Sequence, residues 1–111
     1  MAVRTVEDII EQTYDPDPKV RKQAAAELCP CELKADYDDV WSRVFELTRD
    51  ESADVRKIVF HTLIDGSPKA REHDVVAAIE SMHNDPDEKL RRTVRKRLAR
   101  YRRTGQINQN H

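Results

Sequence analysis

Hydrophobic residues along this chain step by three and four positions, and the arrangement returns every 35 residues. Apolar side chains spaced by four and four lie on one face of a helix. Three such trios occur: Val20, Ala24 and Leu28; Val55, Val59 and Leu63; and Leu90, Val94 and Leu98. A fixed period of this length is typical of stacked helical repeats. The pattern therefore predicts three copies of one helical unit.

Each unit is predicted to be a pair of helices joined by a tight turn. First helices are expected over residues 3–13, 38–49 and 69–83, and second helices over residues 18–29, 53–64 and 88–102. Asp17, Ser52 and Asp87 share one repeat position just before a second helix. All three are good N-cap residues, because a short side-chain oxygen accepts a bond from a first-turn amide. We therefore expect an all-α protein, an α-solenoid of three helix pairs with six helices.

The domain organisation follows from the length and the repeat positions. A chain of 111 residues suits one domain, which we place at residues 1–104, with repeats at about 3–31, 38–66 and 69–102. Residues 105–111 are polar and have no period. We expect them to form a flexible C-terminal tail.

The turns between paired helices resemble those of short bacterial HEAT-like repeats. Residues 15–21 are Asp-Pro-Asp-Pro-Lys-Val-Arg, residues 85–91 are Asp-Pro-Asp-Glu-Lys-Leu-Arg, and residues 50–56 follow the pattern without the proline. The resemblance covers about residues 3–102 and implies a HEAT-repeat α-solenoid that binds a partner. The period is shorter than the ~40–47 residues usual in this class. Such repeats serve many partners, so the resemblance does not identify one.

Charged residues follow the same period as the apolar ones. The repeated arginines are Arg21, Arg56 and Arg91, and an aspartate precedes each by six positions, at Asp15, Asp50 and Asp85. One hypothesis is a row of charges displayed to a partner. The other is a structural ladder, in which each arginine bridges aspartates of its own turn and the next. We favour the ladder, because the spacing is regular and a guanidinium bonds well to carboxylates and turn carbonyls.

Net charge is unevenly distributed along the chain. The total is −1, but residues 1–54 carry a balance of −7 and residues 55–111 a balance of +6. Cations concentrate in the last helix, where Arg92, Lys96, Arg100 and Arg103 form one stripe. Such a stripe suits phosphates or an acidic protein. Equally, it suits a solenoid end and a helix C-terminus, which favours positive charge.

Residues with possible metal chemistry are few. Cys29 and Cys31 flank one proline, and His61 lies in the middle unit. Structural zinc sites use Cys-x₂₋₄-Cys with two further ligands, so these three are weak metal candidates. We favour Cys29 as a small buried residue at a helix end, and we predict no metal.

The aromatic residues of the middle unit are Trp41, Phe45 and Phe60. They suit either a partner-binding patch or a thickened core, and we favour a core role for Trp41 and Phe60.

Enzymatic and membrane functions have little support in the sequence. The chain has two glycines and no glycine-rich phosphate motif or nucleophile elbow. No stretch approaches the ~18 consecutive apolar residues of a membrane span, and residues 1–10 lack the apolar core of a signal peptide. We expect a cytoplasmic protein that is not an enzyme and has no cofactor.

The predicted function is a non-enzymatic scaffold or adaptor that binds another protein. The candidate partner-binding residues are Lys22, Lys57, Arg92, Arg95, Lys96 and Arg100, with an acidic side at Glu32, Asp36, Asp38 and Asp39. Alternatives are a nucleic-acid-binding module that uses the basic last helix, and a lyase-type accessory protein, because HEAT-like repeats resemble those of bilin lyases. The protein is expected to be a monomer or to self-associate weakly through its oppositely charged halves.

Overall fold

Six α-helices lie in the part of the chain that the structure, a computed structural model, describes: residues 4–29, 33 and 36–110. They are α1 (Val6–Gln12), α2 (Pro18–Glu27), α3 (Asp38–Leu47), α4 (Ala53–Asp65), α5 (Glu72–Ser81) and α6 (Glu88–Thr104). A single 3₁₀ turn, Lys69–Arg71, precedes α5. The described residues contain no strand. The predicted all-α solenoid of three helix pairs is confirmed.

All three second helices begin at the predicted N-caps. The side-chain oxygens of Asp17, Ser52 and Asp87 each accept a backbone N–H from the first turn of the helix that follows. The first helix begins differently, with a capping box in which Thr5 and Asp8 bond reciprocally to each other's backbone amide. Side-chain capping therefore sets these four helix starts.

The first helices are shorter than their apolar period indicates. In the turn that closes α3, the amides of Thr48 and Arg49 donate to carbonyls three residues back, and Met82 and His83 do the same after α5. Such bonds tighten the last turn and end the α-helix. Apolar spacing does not distinguish three-residue from four-residue steps over one turn, so the predicted ends extend past the observed ones.

One continuous core runs through all three repeats. Residues at equivalent repeat positions are buried together: Ile9, Val44 and Ile79; Ala24, Val59 and Val94; and Leu28, Leu63 and Leu98. Trp41 and Phe60 are also buried, while Phe45 is half-buried with its ring 5.8 Å from that of Trp41. The core assignment is therefore confirmed for Trp41 and Phe60.

The C-terminal segment differs from the flexible tail that the sequence predicts. Ile107 is 1 % exposed and belongs to the core. The backbone N–H of Gln109 donates to the carbonyl of Ile64 at 2.8 Å, and Asn110 Nδ2 donates to that of Asp65 at 3.0 Å. Carbonyls at a helix C-terminus lack partners within the helix. Residues 107–110 supply such partners to α4 without being helical, which explains why the segment has no period.

Candidate partner-binding surface

Arg21 joins the first repeat to the second. Its Nε and Nη2 donate to the two carboxylate oxygens of Asp50, at 3.0 and 3.2 Å. Its Nη1 donates to the backbone carbonyls of Asp15 and Pro16, at 2.9 and 3.0 Å. One guanidinium thus holds its own turn and the next one.

Arg56 repeats this geometry between the second and third repeats. It donates to both oxygens of Asp85, at 2.8 and 3.0 Å, and to the carbonyls of Asp50 and Glu51. Arg56 is 7 % exposed and Asp85 is 6 % exposed. Arg56 thus contacts its own turn through the carbonyl oxygens of Asp50 and Glu51. We expected the carboxylate of Asp50 in that place.

The aspartate carboxylates do bond within their own turns, but to backbone amides. Asp50 accepts the N–H of Ser52 at 2.8 Å, and Asp85 accepts that of Asp87 at 2.9 Å. Each of these carboxylates thus fixes a turn and receives an arginine from the preceding repeat. Both of these Arg–Asp pairs are engaged inside the solenoid, so they are not available to a partner.

A groove of about 700 Å³ runs between α2 and α4, and all of its lining residues belong to these two helices or to the N-cap of α4. Its lining includes Lys19, Lys22, Gln23, Ala26, Asp54 and Ile58. The equivalent positions on α6 hold Lys89, Arg92, Thr93 and Lys96. We call these ten residues the second-helix face. Its charged residues are mainly cations.

Three of the predicted partner-binding cations are exposed and have no ion-pair partner among the described residues. Lys22 and Lys96 belong to the second-helix face, and Arg100 lies one helical turn beyond Lys96 on α6. Positive charge therefore stays uncompensated at both ends of the face.

The other three predicted cations have partners. Lys57 Nζ lies 3.6 Å from a carboxylate oxygen of Asp87, and Arg92 Nη2 lies 2.7 Å from one of Glu88. Arg95 donates to the carbonyl of His83 at 2.9 Å, in the turn before α6. It occupies the repeat position at which Ala25 and Phe60 are buried, and it is itself exposed. Arg95 therefore lies on the end of the solenoid and not on the second-helix face.

Of the ten residues of the second-helix face, the sequence predicted only Lys22, Arg92 and Lys96 as partner-binding residues, and it missed the others, Lys19 and Ile58 among them. Lys19 has a signal, because it precedes Lys22 by three positions just as Lys89 precedes Arg92. Ile58 has none, because its equivalents are Gln23 and Thr93, and only the groove shows that it is a half-buried apolar residue at the surface.

The predicted acidic side is partly occupied by an internal ion pair. Arg71 donates to Asp36 at 2.8 Å and to Asp38 at 2.6 Å, and these bonds raise the pKa of Arg71. Its guanidinium lies 5.8 Å from the Trp41 ring. Asp39 is exposed at the start of α3, while Glu32 lies outside the described residues.

Two of the three weak metal candidates, Cys29 and His61, lie in the described part of the chain. Cys29 is buried and His61 is exposed, with its Nε2 3.6 Å from a carboxylate oxygen of Asp65. Cys31 lies outside the described residues. Within the described part of the chain, no three His, Cys, Asp or Glu side chains are grouped as metal ligands.

Arg97 is an unusual residue of α6. Its Nη1 is buried and has no hydrogen-bond partner among the described residues. Burial lowers the pKa of this guanidinium, and the charge of nearby Arg100 lowers it further. Arg97 and Arg100 therefore repel each other.

Comparison with known proteins gives one match. A family model described as HEAT repeats matches residues 6–99, which is most of the chain. No curated protein and no solved structure matches it. Among the described residues, every helix is too short or too polar to cross a membrane.

Proposed function

The chain belongs to the HEAT-repeat family, and we propose that it is a non-catalytic adaptor that binds an acidic segment of another protein along the second-helix face. Repeats of this family commonly serve as protein-interaction scaffolds and are generally not catalytic. Membership of this family supports a binding role, and the exposed cations of this chain support an acidic partner.

The observation that carries the proposal is the set of cations without internal partners. Lys22, Lys96 and Arg100 have none among the described residues, whereas the repeated Arg21 and Arg56 are fully engaged. Cations that stabilise a fold are paired within it. Those that are left exposed along one face are available to carboxylates of another chain.

The face also offers an apolar anchor and a fixed shape. Ile58 lines the groove between α2 and α4 together with Lys19 and Lys22. Interface affinity depends on such buried apolar contacts more than on rim charges. Because helices build the groove, little conformational entropy is lost on binding.

Two observations favour a protein over a nucleic acid. Tyr101, the aromatic residue of the basic run, is half-buried beside α5, where it and Val76 line one depression. Part of its ring packs against the core, which leaves less of it for base stacking. In addition, the N-terminal half carries a balance of −7, which opposes binding along a phosphate backbone.

The proposal is tested by capture of binding proteins from an extract of the source cells. Lys96→Glu/Arg100→Glu reverses charge at the proposed site, and Arg49→Glu/Lys69→Glu applies the same change to exposed cations elsewhere. We expect the first variant to lose an acidic binding protein that the wild type and the second variant retain. Equal retention by all three would contradict the proposal.

The nucleic-acid alternative is measured on the same proteins. Wild type and Lys96→Glu/Arg100→Glu are titrated with duplex and single-stranded DNA at low and high salt. We expect no binding at physiological salt. Micromolar binding that weakens steeply with salt and is lost in this variant would replace the adaptor with a nucleic-acid-binding module.

A further inference from the structure

The series of Arg–Asp pairs is open at the C-terminal end of the solenoid. Arg91 holds its own turn as Arg21 and Arg56 do, with Nη1 donating to the carbonyl of Asp85 at 2.9 Å. Its Nε and Nη2, which in the other two arginines bind a carboxylate of the next repeat, have no partner among the described residues. The two nitrogens of Arg91 that could bind a carboxylate bidentately are therefore unpaired within the described residues.

The series is also open at the N-terminal end. Asp15 accepts the backbone N–H of Asp17 at 2.8 Å. Asp50 and Asp85 likewise each accept the backbone N–H of the residue two positions later. The carboxylate of Asp15 is thus held like the other two. Within the described residues, however, no cation lies at ion-pair distance from it.

The surfaces around these two residues carry opposite charge. Asp15 shares a shallow depression with Asp8 and Glu11 of the first repeat and with Arg4, which is itself paired with Glu27 at 2.6 Å. Arg91 lies between exposed cations of α6, including Arg92 and Arg95. The two ends of the molecule are therefore complementary in charge. Each end also carries one unpaired partner of the repeated Arg–Asp contact, the carboxylate of Asp15 at one end and the Nε and Nη2 of Arg91 at the other.

We propose that a second copy of this chain docks head to tail, with Asp15 of one copy bound by the Nε and Nη2 of Arg91 of another. This contact reproduces the observed Arg21–Asp50 and Arg56–Asp85 geometry. Arg92 and Asp17 occupy the same repeat positions as Lys57 and Asp87, which lie 3.6 Å apart within the chain. Docking therefore also sets Asp17 of one copy opposite Arg92 of the other.

Such a contact has defined properties. It is heterologous, so each copy binds one neighbour through each end and open chains form instead of closed dimers. Its charges are partly exposed, so association is weak and screened by salt. Its main pair, Asp15 with Arg91, lies at the ends of the solenoid and outside the second-helix face, with which the contact shares only Arg92, so it does not depend on the adaptor proposal.

The experiment is sedimentation velocity of the whole chain across concentrations up to about 1 mM, at about 20 mM and about 300 mM salt. We expect the average mass to rise with concentration at low salt and to approach that of the monomer at high salt. A monomer under every condition would overturn the proposal.

Two variants remove opposite halves of the contact. Asp15→Asn keeps an Oδ1 acceptor for the Asp17 amide, so the turn is retained, and it removes the negative charge. Arg91→Gln removes the guanidinium. We expect each variant alone to associate about tenfold more weakly than wild type. The control Arg49→Gln, an exposed cation on the first-helix side, should associate as wild type does.

Mixing the two variants distinguishes this geometry from any symmetric one. Arg91 of the Asp15→Asn variant can still bind Asp15 of the Arg91→Gln variant with wild-type strength, but the two outer ends of that pair offer only the weakened contact. At concentrations where each variant alone is still monomeric, the mixture should form dimers and nothing longer. If both variants associate as wild type does, the head-to-tail contact is wrong.

Discussion

At the scale of single residues, the repeated arginines divide their donors between two repeats. Three nitrogens of Arg56 reach two carbonyls of its own turn and both oxygens of Asp85. A buried carboxylate is costly unless it is paired and hydrogen-bonded. The buried Arg56–Asp85 pair should therefore matter more to stability than an arginine without a carboxylate partner.

Arg56→Ala should lower the free energy of unfolding by about 3–5 kcal/mol, because it leaves Asp85 buried and without its cation. Arg91→Ala removes only a bond to one turn carbonyl and should cost about 1 kcal/mol. Urea unfolding at neutral pH measures both variants. Equal losses in the two would show that the carboxylate pairing adds nothing.

Asp87 makes part of the stability dependent on pH. The Leu90 amide lowers the pKa of this N-cap carboxyl, burial opposes the shift, and Lys57 adds to it. A depressed folded pKa means that the stabilisation is complete above the unfolded value, about 3.9. It is lost as the pH falls through the lower folded value.

Asp87→Asn retains a good N-cap but does not titrate. Its loss of stability relative to wild type should therefore be larger at pH 6 than at pH 3. Thermal unfolding at several pH values measures this, with Asp54→Asn of α4 as a control for the removal of one charge. A difference from wild type that is the same at every pH would refute the linkage to Asp87.

At the scale of elements, the sequence predicts where helices begin better than where they end. Asp17, Ser52 and Asp87 each provide the local bond that starts a helix. The ends of α3 and α5 are set by three-residue hydrogen bonds, which leave no mark in the apolar spacing. Two helices end at a recognisable residue: Gly66 is the C-cap of α4, and Gly105 after α6 adopts a φ of 70° that glycine tolerates.

Ile107→Ala should lower the free energy of unfolding by about 2–5 kcal/mol, as expected for truncation of a buried isoleucine. A flexible tail would show no change. Chemical denaturation compares this variant with Ile10→Ala, whose side chain is only half-buried in α1. If Ile107→Ala costs no more than Ile10→Ala, the packing of residues 106–110 against α4 is not stabilising.

At the scale of the whole molecule, neighbouring repeats depend on one another. One core extends from Ile9 to Ile107, and Arg–Asp pairs cross both repeat boundaries. In a solenoid, stability is the sum of repeat and interface terms, and strong interfaces make the array unfold together. Three repeats with two such interfaces should behave as one unit.

Trp41 provides a test of this cooperativity, because it is buried in the middle repeat. Its fluorescence and the far-UV circular dichroism of all the helices should follow one urea transition. Arg21→Ala should weaken the first boundary and separate the two signals, with the dichroism changing first. Separate transitions in the wild type would show that the repeats unfold independently.

The order of apolar residues was enough to predict three helix pairs and a common core, because a helical face and a 35-residue repeat are both local patterns. The same period marked the N-caps, the repeated arginines and aspartates, and Lys22, while Lys96 and Arg100 were indicated by the stripe of cations on the last helix. The division of those cations into paired and unpaired ones depended on distances between repeats. So did the groove beside Ile58 and the burial of Ile107, since such contacts join residues far apart in the chain and leave no period within it.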